Sequence, residues 1–151
     1  MPRRPLNGIR VVDMTVGRGE LCSRFLSDLG AEVIKVEPAG GSPSRTMAPS
    51  DGDHSLYWTF RNCGKLGVEL DLDADDDRDR LHDLLLHSDA VVVSTEPGTA
   101  QSGLDADELG ARHPHLIVAS ITAYGRTGPY AGRDVPDAVI EATGGKIGPP
   151  S

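Results

Sequence analysis

The chain has 151 residues, 38% hydrophobic and 25% charged, with a formal charge of -8. That length holds one domain with a real core, since domains of about this size bury roughly two thirds of their unfolded surface. The negative balance argues against nucleic acid and anionic membrane as partners, because a phosphate backbone must be met by clustered cations, and no apolar run approaches the roughly 20 residues that span a bilayer.

Arg3 and Arg4 make a basic tip that reads as a solvated terminus, and Met1 to Leu6 has no signal-peptide core, so a cytoplasmic protein is expected. Ile9 to Met14 is short and β-branched, broken only by Arg10 and Asp13, as in a strand buried on both faces of a parallel sheet. Gly17 and Gly19 flank Arg18 in the turn that follows. Glu20 then opens a helix whose Leu21, Phe25, Leu26 and Leu29 recur at helical spacing, with Gly30 placed to stop it. Cys22 falls on that apolar face and reads as a buried, inert thiol; neither it nor Cys63 has the spacing of a zinc knuckle or redox pair. Ala31 to Glu37 is the next strand. A right-handed crossover brings the Thr15 to Glu20 turn and the Glu37 to Arg45 turn to one sheet edge, where open α/β sheets bind ligands.

Pro38 to Asp53 is a Gly, Pro and Ser-rich loop, Leu56 to Phe60 an aromatic cluster with the only Trp, and Arg61 to Lys65 a further turn. Gly67 to Leu72 alternates like a strand. Asp73 to His87 is a helix with Leu81, Leu84 and Leu85 inward; Asp75, Asp76 and Asp77 in its first turn suit the helix dipole and capping better than a metal, since consecutive residues there point in different directions. Ala90 to Ser94 is a buried strand, Glu96 to Gly98 a turn, and Leu104 to Arg112 a short helix. His113 and His115 flank a proline before the strand Leu116 to Thr122 and read as surface residues without a metal. Ala123 to Arg133 is a glycine-rich loop at the same ligand edge, Asp134 to Thr143 a last helix, and the chain ends in a loop. Strands alternating with helices predict an α/β fold: a Rossmann-like, mostly parallel sheet with helices on both faces.

Three glycine turns follow strands, at Gly17 with Gly19, at Gly98, and at Gly125 with Gly128, and each can bring backbone amides near a phosphate. The first imitates a dinucleotide fingerprint, with Glu37 where a ribose carboxylate would stand, but Cys22 occupies the third glycine's place. Nucleotide binding and plain tight turns both remain open on that motif. No nucleophile elbow or catalytic triad pattern is present, and Asp13 and Asp137 read as buried or capping carboxylates.

Six motifs in order, PLNGIRVVDMT from Pro5, LSDLGAEVIKVEPAGGSPSR from Leu26, RNCGKLGVELDL from Arg61, DAVVVSTEPG from Asp89, HPHLIVASITAYGRTGPYAGR from His113 and DAVIEATGG from Asp137, resemble the amino-terminal part of the class III CoA-transferases. That family includes the formyl-CoA, carnitine and bile-acid CoA-transferases and the α-methylacyl-CoA racemases. The resemblance implies that residues 1–151 are a CoA-binding, Rossmann-like domain, an incomplete large domain of a fold whose two chains interlock like linked rings. It implies transfer of CoA between a CoA thioester and a carboxylic acid, with acyl-CoA and the acid as partners and no covalently bound cofactor. The catalytic aspartate, which forms a mixed anhydride and then a CoA thioester, is expected past the TGG segment, so no catalytic residue is assigned within the chain.

The departures point elsewhere. The family commonly reads Asn, Phe, Arg after the fourth strand, where this chain has Ser94, Thr95 and Glu96, and an acid there repels phosphate. Leu66 replaces the usual arginine, and Pro136 stands where the racemases carry an acid/base histidine; proline has no proton to transfer. The alternatives are therefore a non-catalytic or degenerate subunit that pairs with a complete transferase, and, more remotely, a racemase-like protein or a NAD-binding module. The expected CoA contacts are Val16, Gly17 and Arg18, Lys35, Arg45, Lys65, and Gly125 with Gly128. Lys35 also suits a solvated strand position and Arg45 a pair with a loop carboxylate. A homodimer, or a pair with a complementary transferase chain, is expected.

Overall fold

The computed structural model describes residues 4–95, 104–133 and 135–146. The elements in chain order are β1 (Arg10–Met14), α1 (Glu20–Asp28), β2 (Glu32–Glu37), a 3-10 turn (Pro43–Thr46), a small hairpin of β3 (Ser50–Asp51) and β4 (His54–Ser55), α2 (Leu56–Asn62), β5 (Leu66–Glu69), α3 (Asp75–Leu86), β6 (Ala90–Val93), α4 (Ala106–Arg112), β7 (Ile117–Ser120) and α5 (Asp137–Thr143). The predicted turn at Glu96 to Gly98, Asp134 of the predicted last helix and the terminal Ile147 to Ser151 lie outside the described residues.

The main sheet has the order β5-β2-β1-β6-β7 and every pairing in it is parallel. The α/β expectation is met, with the chain running outward from β1 in one direction and then, at β6, in the other. That reversal makes a crevice at the carboxyl ends of β1 and β6, the position where open parallel sheets hold ligands. β1 is central because its Val11, Val12 and Asp13 are all buried, and alternate residues feed opposite faces of the sheet. Val12, Val91 and Val93 pack with Leu81 and Leu85 of α3 and Leu109 of α4. Val11, Val33 and Val92 pack with Leu26 of α1 and Ile121 on the other face.

Three local expectations are corrected. On α1 the buried side chains are Glu20 and Ser23, while Phe25 is 57% exposed and Cys22 is exposed, so this thiol is neither buried nor shielded. The first turns of the helix set Glu20 and Ser23 against the charged groups under the turn after β1, while Leu26 packs on the sheet. Leu56 to Asn62 is a helix rather than a cluster and turn; Ser55 caps it, its hydroxyl accepting from the Trp58 amide at 3.0 Å. His113 is not a surface residue. It is buried beside His82, with His82 Nδ1 3.0 Å from His113 Nε2 and the rings stacked at 5.2 Å between centroids.

Candidate functional site

The turn after β1 is held from beneath by ionised side chains out of solvent. Asp13, the fourth residue of β1, is fully buried; its Oδ1 accepts from the Thr15 amide at 2.8 Å and the Thr15 hydroxyl at 2.6 Å, and its Oδ2 accepts from Ser23 at 2.5 Å and the Lys65 ammonium at 2.7 Å. Lys35, projecting from β2, lies 3.4 Å from Asp13 Oδ1 and 3.6 Å from Glu20 Oε1, and also donates to the Thr15 carbonyl. Lys65 donates in addition to the Glu20 carbonyl at 2.8 Å and to Asn62 Oδ1 at 2.7 Å. Burial by itself would push the Asp13 carboxyl up, but Lys35 and Lys65 with the hydrogen bonds of Lys65 and Ser23 outweigh it and hold the carboxyl below its ordinary range. The Lys65 ammonium is held below its usual value by burial, which Asp13 opposes. Two lysines and two carboxylates thus tie the first turn to β2, to α2 and, through a 2.7 Å bond from Ser44 to Glu20 Oε1, to the second loop.

The second loop is pinned by Glu37. Its carboxylate accepts from Arg45 Nε at 2.6 Å, Arg45 Nη2 at 2.8 Å and the Ser42 amide at 2.9 Å, and the Arg45 bond is the main reason its carboxyl lies below the usual range. Both Glu37 oxygens are therefore occupied, and the carboxylate does not stand free for a ribose. The Arg45 guanidinium, half-exposed, lies 4.2 Å from the centre of the Trp58 ring.

Between the carboxyl ends of β1, β2, β5 and β6 lies a cavity of about 340 Å³, lined by Met14, Val16, Glu37, Leu70, Asp73 and Thr95 among others. The Val16 amide donates to Ser94 Oγ at 3.0 Å, closing the crevice between the first turn and β6. Gly17 and Gly19 both have positive φ, 62° and 95°, and an added Cβ on Gly19 would stand 3.0 Å from Thr15 Cγ2 and 3.1 Å from Ile121 Cδ1. Only glycine fits there. Gly125 and Gly128 also have positive φ, but open space surrounds them; their loop is anchored by Arg126, which donates to Asp105 at 2.6 Å and Asp107 at 2.7 Å on the first turn of α4.

Of the expected contacts, Val16 lines the cavity, Gly17 and Arg18 follow it in the same turn with Arg18 directed to Asp137, and Arg45 pairs with Glu37 of the cavity wall, while Lys35 and Lys65 turn inward with side chains almost wholly out of solvent. Lys35 is thus not the solvated strand residue its position suggested. Sequence reasoning did not single out Tyr57 or Arg61, which α2 carries against the first turn: Arg61 Nη1 donates to the Gly17 carbonyl at 3.3 Å and its guanidinium lies 4.3 Å from the Tyr57 ring centre. Nor did it link Arg18 with Asp137, 119 positions apart, which meet at 2.9 Å. The Ser55 cap ahead of α2 was the one local signal for that helix. Among the described residues no group of three His, Cys, Asp or Glu is placed to hold a metal ion, and no helix is long and apolar enough to cross a membrane.

A family model described as CoA-transferase family III matches residues 6–148. The chain is 39% identical over 149 residues to the probable fatty acyl-CoA transferase Rv3272 of Mycobacterium tuberculosis, covering 95% of this chain and 38% of that protein. It is 37% identical over 147 residues to the acetyl-CoA:oxalate CoA-transferase of Acetobacter aceti, covering 95% and 38%. A crystal structure of Rv3272 superposes with a TM-score of 0.87 at 38% identity, over 100% of this chain and 43% of that one. A CAIB/BAIF family protein from Brucella suis superposes with a TM-score of 0.86 at 35% identity, over 95% and 40%. The chain thus spans about 38% of the length of these two curated relatives.

Proposed function

Because the chain belongs to CoA-transferase family III, we propose that it is the CoA-binding part of a transferase that moves CoA between a CoA thioester and a carboxylic acid. The observation that carries the reading is the first turn: a glycine-built crevice edge at the point where the strand order reverses, made rigid by the Asp13, Lys35, Lys65 and Glu20 cluster beneath it. In this reading residues 1–151 form one domain, with Val16, Gly17, Arg18, Gly125 and Gly128 toward the CoA and Arg45 able to leave Glu37 for a phosphate. Lys35 and Lys65 then position the turn and do not touch CoA. The catalytic aspartate belongs to a segment outside these residues, CoA and its thioesters are substrates with no covalently held cofactor, and the chain works as a homodimer or with a complementary transferase chain, in the cytoplasm.

A calorimetric titration with CoA, and NAD as the control ligand, tests the reading. Saturable CoA binding without NAD binding is expected. Binding of NAD alone would overturn it in favour of a dinucleotide module.

One observation favours a second reading, a degenerate subunit that holds CoA only with a complete partner. Glu37, Asp71 and Asp73 all line the cavity, and such a wall opposes a phosphate. Absence of CoA binding by the chain alone, restored on mixing with a complete family member, would select it.

A further inference from the structure

The cavity at the strand ends is charged in one sense only. Much of its lining is apolar, with Met14, Val36 and Leu70, and its charged groups are Glu37, Asp71 and Asp73; no Lys or Arg stands among the described residues that line it. At about 340 Å³ it is on the scale of a small-molecule site. The acidic side is held in place by the backbone. The Leu70 amide donates to the Glu37 carbonyl at 2.9 Å, joining the ends of β2 and β5, and the Asp73 amide donates to Asp71 Oδ1 at 3.1 Å.

Positive charge close by is already matched. Arg45 holds both Glu37 oxygens in a fork and feels the charge of Glu69 as well. Arg78 and Arg80 pair with Asp75 and Asp77 on α3. The N-terminus of α3, a backbone feature that would otherwise favour an anion, is met by Asp75, Asp76 and Asp77 in its own first turn. In the sequence, the run from Ser94 to Asp105 adds Glu96 and Asp105 and no Lys or Arg.

CoA is anionic in two places, at its diphosphate and at the 3′-phosphate of its ribose. In an open parallel sheet a diphosphate lies on the glycine turn after the first strand and the nucleoside extends along the neighbouring strand ends. Here that direction leads from Val16 into the cavity. An adenine suits apolar walls, and a free ribose hydroxyl can donate to a carboxylate. A dianionic phosphate on the same ribose meets only like charge, and one guanidinium, Arg45, cannot serve it and the diphosphate together. We propose that the cavity selects against the 3′-phosphate, so that the preferred thioester carrier is 3′-dephospho-CoA, with Asp71 and Asp73 as the discriminating residues. This inference rests on the CoA-binding reading and adds to it which form of the carrier the site accepts.

The test is calorimetry of the 151-residue chain with 3′-dephospho-CoA and with CoA, at low salt and again at high salt. At low salt dephospho-CoA is expected to bind at least about fivefold more tightly, the scale of like charges meeting near a protein surface. That advantage should shrink at about 1 M NaCl, where the Debye length is only about 3 Å. Asp73 is exposed, and Asp73→Lys, which turns the charge of the wall, should bring the ratio to about one or reverse it. A wild-type ratio below about fivefold at low salt overturns the inference. So does a ratio that stays unchanged at high salt, which would make the exclusion steric, or one that stays unchanged in Asp73→Lys. Should that variant not fold, the salt series decides alone. CoA binding as tightly as dephospho-CoA defeats this inference alone; failure of both carriers to bind defeats the reading beneath it as well.

Discussion

Lys65 and Asp13, 52 residues apart in sequence, meet at 2.7 Å with both side chains out of solvent. With Lys35 and Glu20 they form a cluster in which two positive and two negative groups balance. Balance is what makes burial tolerable: an ion left without its partner in such a place costs about 3–5 kcal/mol. Asp13→Asn should therefore lower the stability read from urea denaturation by about that amount, with Lys65→Met similar and the double variant less than the sum of the two. A loss under about 1 kcal/mol for Asp13→Asn, the range of a surface pair, would show that the cluster does not hold the turn.

Because the Asp13 carboxyl lies below its ordinary value of 3.8 in the folded chain, the unfolded chain takes up the proton first on acidification. Its contribution to stability is present above about pH 4 and is lost as pH falls through the lowered folded value. Denaturation midpoints followed from pH 5 to about pH 2 should fall in the wild type and fall less in Asp13→Asn. Parallel curves would remove Asp13 from the acid response.

The histidine pair acts in a higher window. Burial first, and then the charge of Arg112, hold His82 and His113 below their ordinary value of 6.5, and among the described residues His113 Nδ1 has no hydrogen-bond partner. Protonating both rings would place two donors face to face, so the fold favours the neutral forms while the unfolded chain binds protons first. Stability should decline as pH drops below about 6.5 and level off once the folded values are passed. His113→Phe, which packs without titrating, should flatten this slope; a slope equal to that of the wild type would rule the pair out.

Gly19 and Gly125 separate two reasons for glycine. Both have positive φ, 95° and 83°, but a Cβ on Gly19 would press on Thr15 and Ile121 whereas one on Gly125 meets nothing within 4 Å. Gly125→Ala should cost about 1–2 kcal/mol of backbone strain, and Gly19→Ala more, together with CoA affinity. Equal costs would mean that the turn yields to the added methyl.

Trp58 is the only tryptophan and its ring lies under the Arg45 guanidinium. If Arg45 leaves Glu37 for a phosphate of CoA, Trp58 emission should change saturably with CoA, and Arg45→Ala should abolish the change. CoA binding by calorimetry with no movement of the emission would keep Arg45 on Glu37.

Cys22 and Cys63 are both exposed. A disulfide reagent such as Ellman's should titrate both thiols of the native chain without denaturant. Reaction only after unfolding would put Cys22 back against the sheet.

Much of the fold was written locally. The β-branched runs at Val11 to Val12 and Ala90 to Val93 and the spacing of Leu81 and Leu85 state their own burial, because period and side-chain branching act within a few residues. The collinear motifs carried the family in the same way, and the turn after β1 and the loop after β2 were legible as neighbours from strand order alone. The ion cluster was not, since Lys35 and Lys65 have the sequence context of surface lysines and become interior only when Asp13 and Glu20 arrive opposite them. The outward face of α1 and the burial of His113 escaped for a related reason: hydrophobic spacing marks a helix and its stripe but does not say which side the rest of the chain covers. Arg18 with Asp137 and Arg61 with Gly17 are contacts between distant segments, fixed by the crossovers that stack the turns at one edge of the sheet. Local chemistry thus determined which elements form; the tertiary structure decided which charges are buried together, because a buried ion is stable only where a distant segment supplies its partner.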